Sequence, residues 1–353
     1  MTEKRFYLDI HAIQTLPPSN VNRDDTGSPK TAIYGGVRRA RVSSQSWKRA
    51  MRQYFLKESE DDLGIRSLNV IQYLAERIVV ADSSVTEDES MRMADKIFND
   101  VGIKTKDQKT KALFFLGKEQ ADRLAAAAVK GETDKNVLKQ IISDNPAIDI
   151  ALFGRMVADD PSLNEDASSQ VAHAISTHEV QTEFDFYTAV DELMPEDNAG
   201  AGMLGTIEYN SSTLYRYANI AMHDLLRQLG SKEQAIAAAK LFIQAFANSM
   251  PTGKSNTFAN QTLPQLLMIN IRTDRPVNLV TAYENPVKSK NGNVVPSIER
   301  LFEEIKKTEK FVQTPVKILY VVDDDIKKPE WATEEENLTA LMNDFAIAAE
   351  DLL

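Results

Sequence analysis

The stretch Phe6-Tyr7-Leu8-Asp9-Ile10-His11-Ala12-Ile13 sets the frame for the fold. Phe6, Leu8, Ile10 and Ala12 fall on every second position, the period of a half-buried strand. Pro17, Pro18, Ser19 and Asn20 end it, and a polar loop with Asn22, Arg23, Asp24, Asp25 and Gly27 runs to about Lys30. Gly35 and Gly36 mark a turn, and 37–42 reads as short and extended. Ser43 or Ser44 is a suitable N-cap. Behind it Trp47, Met51, Tyr54 and Phe55 recur at i, i+4, i+7 and i+8, one apolar face of a helix whose other positions carry Lys48, Arg49 and Arg52.

Outward from this opening, residues 60–150 read as mostly helical and acidic-polar, with breakers at Gly102, Gly117, Gly131 and Pro146. They have the character of a helical insertion. A loop rich in glycine and acids spans 194–205 and leads into 206–220, whose tyrosines and threonines favour a strand. Ser231 and Gln234 form a capping box for a helix to about Ser249, stopped by Pro251 and Gly253. Residues 263–271 and 277–283 read as strands. Ser297 begins a helix with Ile298, Leu301, Phe302 and Ile305 inward, 316–322 reads as a buried strand, and a last amphipathic helix starts from Glu334. Strands and helices mix without strict alternation, so the expected class is α+β. A split-βαβ, ferredoxin-like core with insertions is the simplest such arrangement. No repeat of solenoid period is present.

The chain has 353 residues, enough for about two domains. Its 42% hydrophobic and 26% charged content is that of a globular protein and excludes a disordered or collagenous chain. Absent cysteine excludes disulfides, thiolate metal sites and cysteine nucleophiles, and agrees with a cytoplasmic location. No apolar run approaches the length of a membrane span, and Asp9 interrupts the only N-terminal one, so no membrane partner or signal peptide is expected.

The net charge of −11 argues at first against a nucleic-acid partner. Its distribution argues the other way. Residues 1–57 hold eleven Lys and Arg against four acids, a net +7, which leaves −18 for the remainder. A basic binding face on an acidic body is the expectation. Within it Arg38, Arg39, Arg41, Ser43, Ser44, Gln45, Lys48, Arg49 and Arg52 are concentrated around a helix start, where cations, hydroxyls and free N–H groups suit a phosphate backbone. Such contacts position a nucleic acid without reading its sequence.

Other motifs carry less. Gly200-Ala201-Gly202-Met203-Leu204-Gly205 is a literal G-x-G-x-x-G, but it follows an acidic loop and precedes a strand-like stretch, so the dinucleotide reading is rejected. No P-loop motif exists. His173 and His178 are five apart and no H-E-x-x-H is present, so no metal and no cofactor are expected. Asp24 and Asp25 together offer a carboxylate pair for Mg²⁺, against the commoner role in a turn. His11 is a candidate general base for RNA cleavage, against the commoner role of a polar strand residue.

Taken together, Asn22-Arg23-Asp24-Asp25, Ala32-Ile33-Tyr34-Gly35-Gly36 and Arg39-x-Arg41-x-Ser43-Ser44-Gln45-Ser46-x-Lys48-Arg49-Ala50-x-Arg52 resemble the CasC family, the Cas-seven-type backbone subunits of type I-E CRISPR Cascade. Residues 149–156, 172–178, 186–191, 204–206 and 215–220 continue the resemblance in family order, while 60–145 and the acidic tail match poorly. The resemblance implies a hand-shaped protein. An RNA-recognition-like palm would comprise 1–58, 182–193 and 217–353, with helical fingers at 59–181 and a thumb hairpin at 194–216. It implies a non-catalytic subunit that oligomerises head to tail along a CRISPR RNA, grips its phosphates and displaces bases at intervals, so that the guide pairs with target DNA. Other copies of the chain and the large, small and guide-processing Cascade subunits are the implied partners. Carried over by position, the grip falls on Arg23, Lys30, Arg39, Arg41, Ser43, Ser44, Gln45, Lys48, Arg49, Arg52 and Arg155. Met156, Met203 and Leu204 are the implied base-displacing wedge and thumb residues. The resemblance also supplies an alternative, a metal-dependent target-RNA nuclease of a related backbone family using Asp25.

Overall fold

The computed structural model describes residues 5–58, 63–189, 204–323 and 326–353. The chain opens with strands β1 (Tyr7–Ser19), β2 (Thr31–Tyr34) and β3 (Val37–Val42) and helix α1 (Ser44–Glu58). A helical module follows: β4 (Gly64–Ser67), α2 (Val70–Ala81), α3 (Glu87–Asp100), β5 (Thr105–Lys106), β6 (Lys109–Thr110), β7 (Phe114–Gly117), α4 (Lys118–Val129), α5 (Lys135–Ser143) and α6 (Ile148–Phe153). The chain then returns through β8 (Ser169–Val171), β9 (Ala174–Ser176), β10 (Glu183–Thr188) and β11 (Leu204–Ala221). It ends with α7 (Met222–Leu229), α8 (Lys232–Asn248), α9 (Ser255–Phe258), β12 (Leu266–Arg272), α10 (Val294–Thr308), β13 (Lys317–Val322), β14 (Thr333–Glu334) and α11 (Leu338–Leu352). Mixed helices around one large sheet make it α+β.

The sheet runs β14-β13-β12-β1-β11-β9-β3-β2, with β8 and β10 also paired to β11. β1 lies between β11 and β12 and is antiparallel to both. β11 and β12 are therefore parallel to each other and joined through α7 and α8, a β-α-β unit split by a central strand. This placement corrects one expectation. β1 is buried on both faces, not one. Leu8, Ile10 and Ala12 enter the core beneath α1, α8 and α11, with Met51, Phe55, Phe242 and Phe345. Ile13, on the opposite face, packs with Ile298, Leu301 and Ile305 of α10. The polar residues on that face are satisfied internally. Asp9 accepts from the Tyr217 hydroxyl at 2.7 Å and the Val277 N–H at 2.9 Å.

Three other boundaries move. Residues 277–283 do not form a strand: Leu279–Tyr283 is a 3₁₀ turn whose start is capped by the Asn278 side chain, after Pro276 removes a ladder donor. The helix expected at Ser297 starts at Val294, and Ser297 is buried within it, hydrogen-bonded to Thr177. The last helix starts at Leu338, because Asn337 caps it and Thr333–Glu334 pairs with β13 instead. The helical module has its own core, drawn from Val70 to Leu163, whereas 169–176 already belong to the central sheet. Among the described residues no helix is long and apolar enough to cross a membrane.

Candidate nucleic-acid interface

The polar loop after β1 is built by its own side chains. The Asp24 carboxylate accepts from the N–H groups of Thr26 and Ser28 and from the Thr26 hydroxyl, closing a tight turn. These bonds, the Thr26 hydroxyl first, hold the carboxyl below its usual range although the turn is exposed. Asp24 is therefore committed to the loop, and Asp25 beside it is exposed. Among the described residues no group of three or more His, Asp or Glu side chains gathers that would hold a metal. Asn20 donates to Gly27 O and Glu208 O, tying the loop to β11, and the Ser43 N–H donates to Asn22 Oδ1 at 2.8 Å. The loop thus fixes the start of α1.

That start is capped as the sequence predicts. Ser43 Oγ accepts from the Ser46 N–H, and the Ser44 N–H donates to His173 Nδ1 at 3.1 Å. Burial, then the charges of Arg41 and Lys30, lower the His173 pKa, so the imidazole is kept as a neutral acceptor amid cations. Loop, helix and the 251–254 segment enclose an open cleft of about 420 Å³ lined by Arg23, Ser46, Arg49, Gln53, Gly253 and Lys254, among others. Arg23 and Arg49 are exposed, as is Gln45 at the helix start, and Ser44, Lys30 and Arg41 are partly exposed. Lys48 lies with its ammonium 5.6 Å from the Phe153 ring centroid, and burial lowers its pKa. Arg23, Arg49 and Lys254 line the cleft beside Asp24, whose carboxylate is held by its own turn, and among the described residues none of the three is paired with a carboxylate, which suits phosphate.

Four expected contacts are placed otherwise. Arg39 is fully buried, donating to the carbonyls of Tyr34, Ser176 and Tyr283. Arg155 is buried too, donating to Leu163 O and Ile142 O inside the helical module. Arg52 is spent on Asp149 at 3.0 Å and on Gly64 O, over the Phe115 ring. Ser43 is buried and works as a cap. All four organise the surface rather than form it. His11 is likewise enclosed, between the Tyr215 hydroxyl and the Asn270 amide, and burial pulls its pKa down to about 3. It is a neutral core histidine with no solvent-facing edge.

The cleft residue that sequence reasoning missed is Lys254. It stands in left-handed backbone just after Gly253, and only the abrupt helix stop at Pro251 hinted at a built turn there. A second surface lies on the hairpin of β10 and β11. Phe184 pairs with Glu208, Phe186 with Thr206 and Thr188 with Leu204, so Phe184, Phe186 and Leu204 share one face. All three are about two-thirds exposed. The alternation Glu183-Phe184-Asp185-Phe186 carried that signal. Met156 is 81% exposed, directly after buried Arg155. Met203 lies outside the described residues.

A model of the CT1975-like protein family matches residues 8–344. No curated protein sequence matches. Among solved structures, a chain of a "CRISPR RNA-guided surveillance complex, pre-nicking" is 32% identical, with a TM-score of 0.87, over 97% of this chain and 100% of that one. A chain of a "CRISPR RNA-guided surveillance complex" is 28% identical, with a TM-score of 0.66, over 97% and 99%.

Proposed function

The chain belongs to the CT1975-like protein family, and on that premise we propose that it is a CRISPR-RNA-binding backbone subunit of a Cascade surveillance complex. The observation that carries the reading is the cleft of Arg23, Arg49 and Lys254 against the start of α1, on a chain that shares its fold with subunits of RNA-guided complexes. The cleft offers cations and hydroxyls but no assembled acid–base pair, and so holds phosphates without reading bases. The finer reading is type I-E, with the split β-α-β sheet as an RNA-recognition-like palm, the helical module as fingers and the β10–β11 hairpin as thumb. Copies stack head to tail, an interface that does not close on itself. The exposed Phe184, Phe186 and Leu204 face and Met156 displace bases, and the guide pairs with target DNA between thumbs. The subunit itself is non-catalytic, in keeping with division of labour in RNA-guided effectors.

The test is to purify the protein from its host, extract bound nucleic acid and sequence it. Discrete RNAs with a constant flank and variable inserts support the reading. Bulk cellular RNA, bound without such a flank by the protein in complex with its co-purifying partners, overturns it.

A further inference from the structure

Arg216 on β11 carries a charge that is paired with no carboxylate among the described residues. Its guanidinium is sandwiched 3.6 Å from the Trp47 ring centroid and 4.2 Å from that of Phe246. It donates to Gln14 Oε1 and to Phe246 O, both neutral. Among the described residues its Nε and the Trp47 Nε1 find no hydrogen-bond partner, and both residues are about 1% exposed. Burial pulls its pKa down to about 9. Arg52 and Arg272 each have an aspartate, and buried Arg39 spends its guanidinium on three backbone carbonyls with an Nε that is bonded; Arg216 has one carbonyl and one amide oxygen, with its Nε left over. A desolvated guanidinium without an anion is costly, and its field is weakly screened.

The position of this charge is informative. Trp47 sits on α1 between Ser46 and Lys48, and Ser46, Arg49 and Ala50 line the phosphate cleft. Phe246 lies near the end of α8, which leads directly to Pro251–Lys254 on the opposite wall. Both walls of the cleft rest on the two rings that enclose Arg216. We propose that Arg216 is a positioning residue for the cleft, holding its two walls through the Trp47–Phe246 stack and drawing its counter-charge from a phosphate of the bound RNA. The inference rests on the RNA-binding reading and adds to it a residue beneath the surface. Arg216 touches no ligand.

The test uses the full chain and a fluorescein-labelled oligouridine, with affinity followed by anisotropy over a salt series. Arg216→Met keeps the stacking volume and removes the charge, and is expected to bind about tenfold more weakly, with an unchanged or higher melting temperature in the absence of RNA. Arg216→Lys keeps the charge and is expected to stay within about threefold of wild type. Gln14→Glu places a carboxylate at the Arg216 Nη1 bond and is expected to weaken RNA binding about as much as Arg216→Met. It serves as the charge test if Arg216→Met fails to fold. Equal losses in the Met and Lys variants, or unchanged affinity in Gln14→Glu, overturn the inference in favour of packing alone. If Arg49→Ala weakens binding while every Arg216 and Gln14 variant matches wild type, the RNA reading stands and this inference falls. A wild-type chain that does not bind the RNA overturns both.

Discussion

Arg52 of α1 and Asp149 of α6 meet at 3.0 Å, ninety-seven residues apart, and this pair joins the helix that frames the cleft to the helical module. Asp149 is 2% exposed and also accepts the Gly64 N–H, and Gly64 packs so closely on Phe115 that a Cβ there would lie 2.5 Å from the ring. Burial raises the Asp149 pKa, and the Arg52 charge opposes that shift.

Arg52→Ala leaves a buried carboxylate without its cation. The expected loss is on the order of 3 kcal/mol, read by urea unfolding. RNA affinity measured well below the unfolding transition should change less than twofold. A selective loss of affinity with full stability would return Arg52 to the binding surface.

Asp9 and His11 stand two residues apart on one face of β1 and titrate in opposite senses. Burial raises Asp9 from 3.8 to about 7, so the fold keeps a proton that the unfolded chain releases, and stability falls as pH rises between about 4 and 7. Burial lowers His11 from 6.5 to about 3, so the unfolded chain takes up a proton that the fold refuses, and stability falls as pH drops below about 6.5. From pH 4 to 6.5 the two slopes cancel. Asp9→Asn removes one of them. Relative to wild type, its unfolding free energy should then climb with pH by about 1.4 kcal/mol per unit over that window. Parallel curves for the two proteins would refute the assignment.

Arg49 is exposed, and among the described residues it is bonded to no carboxylate. Arg49→Ala should leave stability within about 0.5 kcal/mol of wild type and lower the slope of log affinity against log salt by about 1. Lys48→Glu with Arg49→Glu should abolish RNA-dependent assembly. Assembly at wild-type levels in the double variant would remove the cleft from the RNA path.

Gly253 is in contact with the loop after β1: a Cβ there would lie 2.2 Å from Val21 O. Gly253→Ala must push the two cleft walls apart. About 1–3 kcal/mol of stability should be lost, and RNA affinity should fall with it. Binding that survives unchanged would show that the second wall does not contribute.

Phe186→Ala with Leu204→Ala removes apolar surface that the folded chain does not bury. The melting temperature should stay within about 2 °C of wild type, while oligomer formation on RNA, followed by sedimentation, should weaken. An equal drop in stability would place this face in the fold instead of at an interface.

Much of the fold was legible because its signals are local. The period of two in β1, the apolar stripe of α1, the Ser231 cap of α8 and the inward face of α10 each lie within one segment, and each element formed. The misreadings were also local in form. Residues 277–283 have strand-like side chains, yet Asn278 caps a 3₁₀ turn there. β1 alternates like a half-exposed strand, yet its polar positions are covered by α10 and the 275–278 segment.

That a cluster of cations surrounds a capped helix start is legible in the chain, because charge and capping are properties of neighbouring residues. Which of those cations face the cleft depends on the packing of distant elements. Arg39 finds its three carbonyls 5, 137 and 244 positions away, Arg52 its carboxylate 97 away, and Arg216, on a strand, lies between rings from two helices. Arg23, Arg49 and Lys254 line the cleft instead. An arginine's charge is written in its own residue, but its desolvation and its partners come from the pairing of distant strands and the packing of distant helices.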